Sequence, residues 1–247
     1  MEVGTKVDKA AGKSGGGWGT SGLVLVTFAA VLVALAAALV LAPPEKTMGD
    51  IQRMFYFHMP AAWVALGPAF TVVFGLSIAY LVTGKMAYDR WAGASAEIGV
   101  IFTTITLVTG PLWAKSAWGV YWTWEPRLTT TLVLWFIYIG YLLLRSIAGE
   151  GPRRARLSAV YGIVGWVDVP IVFLSIWLWR TIHPKLLTSH GFAMDSRMLE
   201  ALMVSLVAFS LLYVCLLVLR ARTLDMDAEA AGLRARLRRL DRRGGGR

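Results

Sequence analysis

The chain has one cysteine, three histidines and only 16% charged residues among its 247. Cys215, alone, cannot close an internal disulfide. No Cys-x-x-Cys pair exists for thiol exchange or for thioether attachment of a cofactor. Cys215 therefore reads as a small hydrophobe in a helix. The chain also lacks a Walker A loop, a nucleophile triad and a zinc-binding His-Glu-x-x-His motif, which leaves nucleotide hydrolysis, acyl transfer and zinc proteolysis without their machinery. Any energy drawn from a nucleotide must come from a partner. No internal repeat is apparent.

What the chain has in excess is apolar residues, 57% of the total. They cluster in long blocks separated by short polar stretches. About 20 apolar residues span a bilayer as a helix. Six such spans are expected, over 21–42, 61–83, 91–113, 128–147, 157–179 and 199–219. Backbone polar groups inside a bilayer must be satisfied within the segment, so helices are the expected form and the fold class is all-α. Lys6, Lys9 and Lys13 precede a glycine-rich stretch and the first apolar run, which mimics a signal peptide. That run is too long for a typical signal core, and Pro43-Pro44 stand in place of a cleavage site, so it reads as a retained first helix.

Lysine and arginine set the orientation. The N-terminal tail, 84–90, 145–156 and the C-terminal tail hold 18 basic residues, and the 43–60, 114–127 and 180–198 loops hold 7. The richer side is read as cytoplasmic, with both termini inside and three loops outside. Without the C-terminal tail the sides stand at 9 against 7, so the short loops alone favour this orientation weakly. The chain then divides into a cytoplasmic N-terminal tail (1–20), a six-helix transmembrane domain with an outer-face site (21–219) and a basic cytoplasmic tail (220–247). Leu233, Leu237 and Leu240 recur at helical spacing among arginines in that tail, the pattern of an amphipathic helix lying on a membrane surface or docking to a partner. The net charge of +10 is accounted for by topology and by attraction to anionic membrane lipid, with no nucleic acid required.

The outer loops carry the unusual chemistry. The 113–127 stretch holds Trp113, Trp118, Tyr121, Trp122 and Trp124, then Glu125-Pro126-Arg127. An interfacial aromatic belt is one reading. A π-rich platform for a large planar ligand is the other. If the loop is helical, Trp118 and Trp122 share a face at i, i+4.

All three histidines fall in these loops. His58 sits before the second span, where Pro60 suits the first turn of a helix. His183 follows the fifth span, and His190 lies deeper in the same loop. His58 and His183 abut helix ends at one interface, so both imidazoles could approach one iron from opposite faces, as haem ligands do. Haem propionates need cations, and Arg127, Arg53, Arg180 and Lys115 lie in the same layer. Two acidic residues fall within spans, Asp168 and Glu97. Intramembrane ionisable groups are functional candidates. Asp168 can equally hydrogen-bond to carbonyls freed by Pro170.

The segment Trp118-Gly119-Val-Tyr-Trp122-Thr-Trp124-Glu125-Pro126-Arg127-Leu128-Thr129 resembles the tryptophan-rich WWD signature, WGxxWxWDxRLT, of the haem-handling proteins of cytochrome c biogenesis. With six spans, two outward histidines and Met54-Phe-Tyr-Phe-His58-Met-Pro-Ala-Ala-Trp63, the resemblance narrows to the haem exporter protein C family of System I and covers roughly 21–220. Two positions depart from the pattern. Glu125 stands where the family has Asp, and Pro126 follows it, biasing Glu125 away from helical geometry.

The resemblance implies haem b (iron protoporphyrin IX) held at the outer face of the bacterial inner membrane. Trp118, Tyr121, Trp122, Trp124, Glu125 and Arg127 of the matching segment would contact it and His58 and His183 would ligate the iron, while Trp113 and Arg53, candidates from the same outer layer, would complete the site. It implies a periplasmic haem chaperone as recipient, an ABC-type ATPase with its membrane subunit, and a small single-span subunit. The chain would be a haem-delivery, haem lyase-like subunit with no ATPase motif of its own. A System II cytochrome c synthase or an apocytochrome haem ligase is an alternative, although those proteins have more spans and histidines. A permease or scaffold subunit that binds no haem is another.

Overall fold

The computed structural model describes residues 16–179, 183, 187–188, 191–192 and 194–244. Lys6, Lys9, Lys13, Arg180 and His190, singled out above, lie outside the described residues. Helix α1 covers Gly16–Ala36 and runs into a wider turn at Ala37–Leu41. A 3-10 turn at Asp50–Met54 leads into α2 (Phe55–Val64), a wide turn at Ala65–Ala69 and α3 (Phe70–Thr83). Then come α4 (Met86–Trp118), α5 (Pro126–Ile147), α6 (Pro152–Trp166) and α7 (Asp168–Leu178). A two-residue hairpin pairs Leu187 with Phe192 and Thr188 with Gly191, and α8 closes the chain at Ser196–Gly244. Six helical stretches are long and apolar enough to cross a membrane: Gly19–Leu41, Asp50–Thr83, Met86–Trp118, Pro126–Ile147, Pro152–Leu178 and Ser196–Arg242. An even number of crossings returns both ends to one side, and contact between Arg222 and Thr20 joins them there.

Two of the apolar clusters that hold the bundle join its central helices. In one, α3, α4, α5 and α7 meet around Phe70, Val73, Ala96, Leu134, Tyr138 and Val172. Phe70 stacks on Tyr138 with ring centroids 3.7 Å apart. This is possible because Gly99 faces Phe70, where an added Cβ would lie 2.5 Å from the ring. In the other, α2, α4 and α8 meet along alanines, with Ala61, Ala65, Ala69 and Ala94 against Tyr213, Leu217 and Ala221. Small residues let helix backbones approach where lipid gives no hydrophobic drive. Pro68 lacks an N–H and widens the turn between α2 and α3. The nearby Ala69 carbonyl is satisfied by the Ser95 hydroxyl at 2.7 Å.

Ion pairs gather at the end where the termini meet. Asp89, 3% exposed, accepts from Arg145 at 2.5 and 3.1 Å and from Arg154 at 3.3 Å. Glu97 accepts from Arg220 at 2.5 and 3.0 Å, so this intraspan carboxylate is paired. Asp168 begins α7 at the break before Pro170, and its buried Oδ2 has no hydrogen-bond partner. The bond to freed carbonyls expected for it is not made by that oxygen.

Three local expectations are corrected. The second span starts at Asp50, not at residue 61, and Pro60 lies inside α2, not in its first turn. The cause is tertiary: Phe55 and Tyr56 are buried against Met198, Ala201 and Leu202 of α8, which carries the helix upstream. His58 is thus inside a helix. Trp118 and Trp122 do not share a helical face, because Gly119 takes φ 77° and ends α4 in the left-handed conformation. The C-terminal tail is helical but not a separate surface helix, since α8 continues unbroken through it.

Candidate functional site

The bundle end opposite the ion pairs carries the tryptophan loop. Helix α4 delivers Trp113 and Trp118 to this end. Gly119 then turns the chain, its N–H donating to the Lys115 carbonyl at 3.0 Å. Residues 119–125 form an irregular loop, in which Trp124 adopts φ 53°. A left-handed conformation costs a residue with a Cβ about 1–2 kcal/mol, so surrounding contacts must hold Trp124 there. Glu125 is extended, at φ −65° and ψ 158°, and Pro126 opens α5 at its first position. The Thr129 N–H and hydroxyl fasten that first turn to the Glu125 and Trp124 carbonyls at 3.0 and 3.1 Å.

One cavity of about 100 Å³ is lined by His58 and Met59 from α2, Thr106, Leu107, Gly110, Pro111 and Trp113 from α4, Trp118, Trp122, Arg127 and Leu128, and His183. The two histidines, 125 residues apart in sequence, therefore face one space. A chain of tilted and edge-on aromatic contacts forms one side. Phe55 and Trp113 have centroids 6.2 Å apart, Trp113 and Trp118 5.2 Å, and Trp118 and His183 5.6 Å. The Trp113–Trp118 and Trp122–Trp124 pairs stand at 87° and 82°, so the rings do not form the flat platform expected from the sequence. A second cavity of about 660 Å³ shares Phe55, Trp113 and Trp118 with the first and is otherwise walled by 43–48, Gln52, Met194, Asp195 and Met198.

Each imidazole is anchored through Nδ1. His58 Nδ1 lies 2.9 Å from the Thr109 hydroxyl. His183 Nδ1 contacts Glu125 Oε1. A carboxylate only accepts, so His183 donates from Nδ1 and its Nε2 keeps a lone pair. Burial holds the His183 imidazole below its ordinary value, with the Glu125 carboxylate raising it and Arg127 lowering it. The net direction leaves the ring neutral at pH 7, the state that can coordinate a metal.

The other expected residues are dispersed. Arg127 is on the wall. Arg53 is not, since it donates to Asp50 at 2.9 Å and to the Ala38 carbonyl at 2.9 Å. Trp124 and Tyr121 are exposed, and Lys115 sits over the Tyr121 ring at 5.3 Å while donating to the Gly119 carbonyl. Reading the sequence missed Thr109 and Gly110. An added Cβ on Gly110 would lie 3.1 Å from His58 Cε1, so this glycine makes room for the ring. The Gly110-Pro111 pair inside an apolar helix was the available signal.

The donor set suits a haem. The imidazoles of His58 and His183 both face an apolar cavity. Arg127 is beside them, and the buried indole N–H groups of Trp113 and Trp122 have no partner. Carboxylates such as propionates would satisfy those donors. The space is more restrictive. Ligands of this class occupy roughly 300–1,000 Å³, so a macrocycle needs both cavities, with the Phe55, Trp113 and Trp118 partition displaced.

The model for the family described as "Heme exporter protein C" matches residues 17–236. A protein named "Heme exporter protein C" from Bradyrhizobium diazoefficiens is 35% identical over 193 residues, 76% of this chain and 73% of its own. Its namesake from Escherichia coli K12 is 32% identical over 213 residues, 86% of each. A Marchantia polymorpha protein named "Putative cytochrome c biosynthesis ccmC-like mitochondrial protein" is 30% identical over 207 residues, 83% of this chain and 88% of its own. A family match over nearly the whole chain, joined to six membrane-crossing helices, places this multi-pass membrane protein in the heme exporter protein C family.

Proposed function

We propose that the protein handles haem for cytochrome c maturation: it binds haem b at the outer face of the bacterial inner membrane and passes it to a periplasmic haem chaperone. The observation that carries this reading is the convergence of His58 and His183 on one aromatic-walled cavity. His58 and His183 ligate the iron through Nε2. Trp113, Trp118 and Trp122 enclose the ring, with Arg127 and the two indole N–H groups available to the propionates. Glu125 orients His183. Trp124 and Tyr121 support the loop from its exposed side. When bound, haem supplies the reactive group that the chaperone receives. The chain itself binds, orients and shields it.

Delivery needs a change of shape, because the first cavity is smaller than the ligand. The chain has no nucleotide-binding motif, so an ABC-type ATPase with its membrane subunit is the energy source, assisted by a small single-span subunit. Both termini face the cytoplasm, where the ion pairs and the basic tail meet anionic lipid.

The test is the absorption spectrum of the protein purified in lipid nanodiscs, with and without the chaperone. A six-coordinate haem spectrum that changes in His58→Ala and in His183→Ala, with haem lost to added chaperone, is the expected result. A folded protein with no chromophore would return the site to an interfacial aromatic belt.

A further inference from the structure

His58 is held by two residues of α4 that lie outside the tryptophan signature. The Thr109 hydroxyl is 2.9 Å from His58 Nδ1 and 2.7 Å from the Ile105 carbonyl. A hydroxyl has one proton, and the carbonyl can only accept it. With that proton on the Ile105 carbonyl, Thr109 accepts towards His58, which places the proton of the neutral imidazole on Nδ1. Nε2 is then the bare nitrogen. Gly110 completes the arrangement, since a Cβ there would crowd His58 Cε1 at 3.1 Å. The ring is thus fixed by α4, at Nδ1 by Thr109 and beside Cε1 by Gly110, although its own backbone belongs to α2.

We propose that Thr109 is a positioning residue: through its hydroxyl it fixes the His58 tautomer and selects Nε2 as the nitrogen offered to the iron. This rests on the haem reading above. The outer partner of a metal-bound histidine sets both tautomer and ring orientation. Here the two histidines have unlike partners, a neutral hydroxyl for His58 and a carboxylate for His183. Thr109 makes His58 the weaker donor of the pair while keeping its lone pair correctly aimed.

The first measurement needs no haem. Nitrogen-15 spectra of the full-length haem-free protein in nanodiscs report which ring nitrogen carries the proton, with the His58 signals identified by their loss in His58→Ala. The wild type and Thr109→Ser, which keeps the hydroxyl, are expected to show the proton on Nδ1. Thr109→Val, equal in shape but unable to accept, is expected to move a major fraction to Nε2. After haem loading, Thr109→Val should show a several-fold smaller six-coordinate fraction, and Thr109→Ser should match the wild type. An unchanged tautomer in Thr109→Val, or a Thr109→Ser protein that behaves like it, overturns the assignment. So does a changed tautomer with an unchanged haem spectrum. A haem spectrum unaltered by His58→Ala instead overturns the haem reading, and with it the iron-facing half of this proposal. The haem-free tautomer still decides whether Thr109 sets the ring.

Discussion

Behind each imidazole of the proposed axial pair stands a different acceptor, and the difference has measurable consequences. A carboxylate receiving the Nδ1 proton makes His183 a more basic ligand. Glu125→Gln keeps an acceptor but removes the charge. It should weaken haem retention by roughly 10-fold, within the 10–100-fold range typical of such outer partners, and raise the haem midpoint potential. A redox titration identical to wild type would remove Glu125 from the site. Arg127 is tested by a graded pair. Arg127→Lys keeps the charge but not the planar fork, so its haem retention should fall between wild type and Arg127→Ala. A hydrogen bond to a charged group contributes about 1.5–3 kcal/mol, so the alanine variant should lose roughly 10–100-fold. Three proteins with equal retention would show that Arg127 has no part in binding. That His58, His183, Trp118 and Trp122 meet at one cavity was legible in the sequence, because histidine is scarce and tryptophan is concentrated in the 113–124 stretch. Thr109 was not. Thr103, Thr104, Thr106 and Thr109 all donate to the carbonyl four residues back, as hydroxyls in apolar helices commonly do. Only the imidazole brought by α2 sets Thr109 apart. Arg53 failed the other way, being in the right layer but bonded to its own turn.

Among the elements, the six spans were readable from hydropathy, but their ends were decided by packing. Burial of Phe55 and Tyr56 on α8 moved the start of the second span, and no periodicity within 43–60 announces that. The glycine that ends α4 was visible, and its left-handed φ is what separates Trp118 from Trp122. The loop should therefore respond unevenly. Aromatic contacts contribute about 0.5–1.5 kcal/mol each beyond area burial. Single alanine changes at Trp118 and Trp122 should lower haem retention by a few-fold, the change at the exposed Trp124 least, and the triple change should abolish it. A folded triple variant with full haem content would leave the tryptophans as a membrane belt. The opposite end of the bundle offers a prediction independent of haem. Asp89 is buried between Arg145 and Arg154. Asp89→Ala leaves two cations uncompensated, and removal of one partner from a buried pair costs about 3–5 kcal/mol. The expected outcome is a clearly lowered Tm for the purified protein, and an unchanged Tm would show that water already serves those arginines.

For the whole molecule, the proposed orientation rests on the lysine and arginine count, and the Arg222–Thr20 contact brings the first and last spans together at one end. A reporter fused after Arg247 should be cytoplasmic, and a cysteine placed at Ser189 should react with an impermeant label from outside. The reverse pattern at either position would invert the assignment of faces and put the cavity inside the cell. Helix α8 has a further consequence. At 1.5 Å per residue its 49 residues measure roughly 73 Å, more than twice the ~30 Å hydrocarbon layer. It contains no proline and no irregular turn among its described residues. Its first turns supply Met198 to the larger cavity, and its last turns carry Arg234, Arg238 and Arg242. The membrane is thus crossed by a single stiff rod with no joint along it. A shift of the arginine end along the helix axis is therefore passed on, through one unbroken hydrogen-bonded element, to the wall beside the tryptophans.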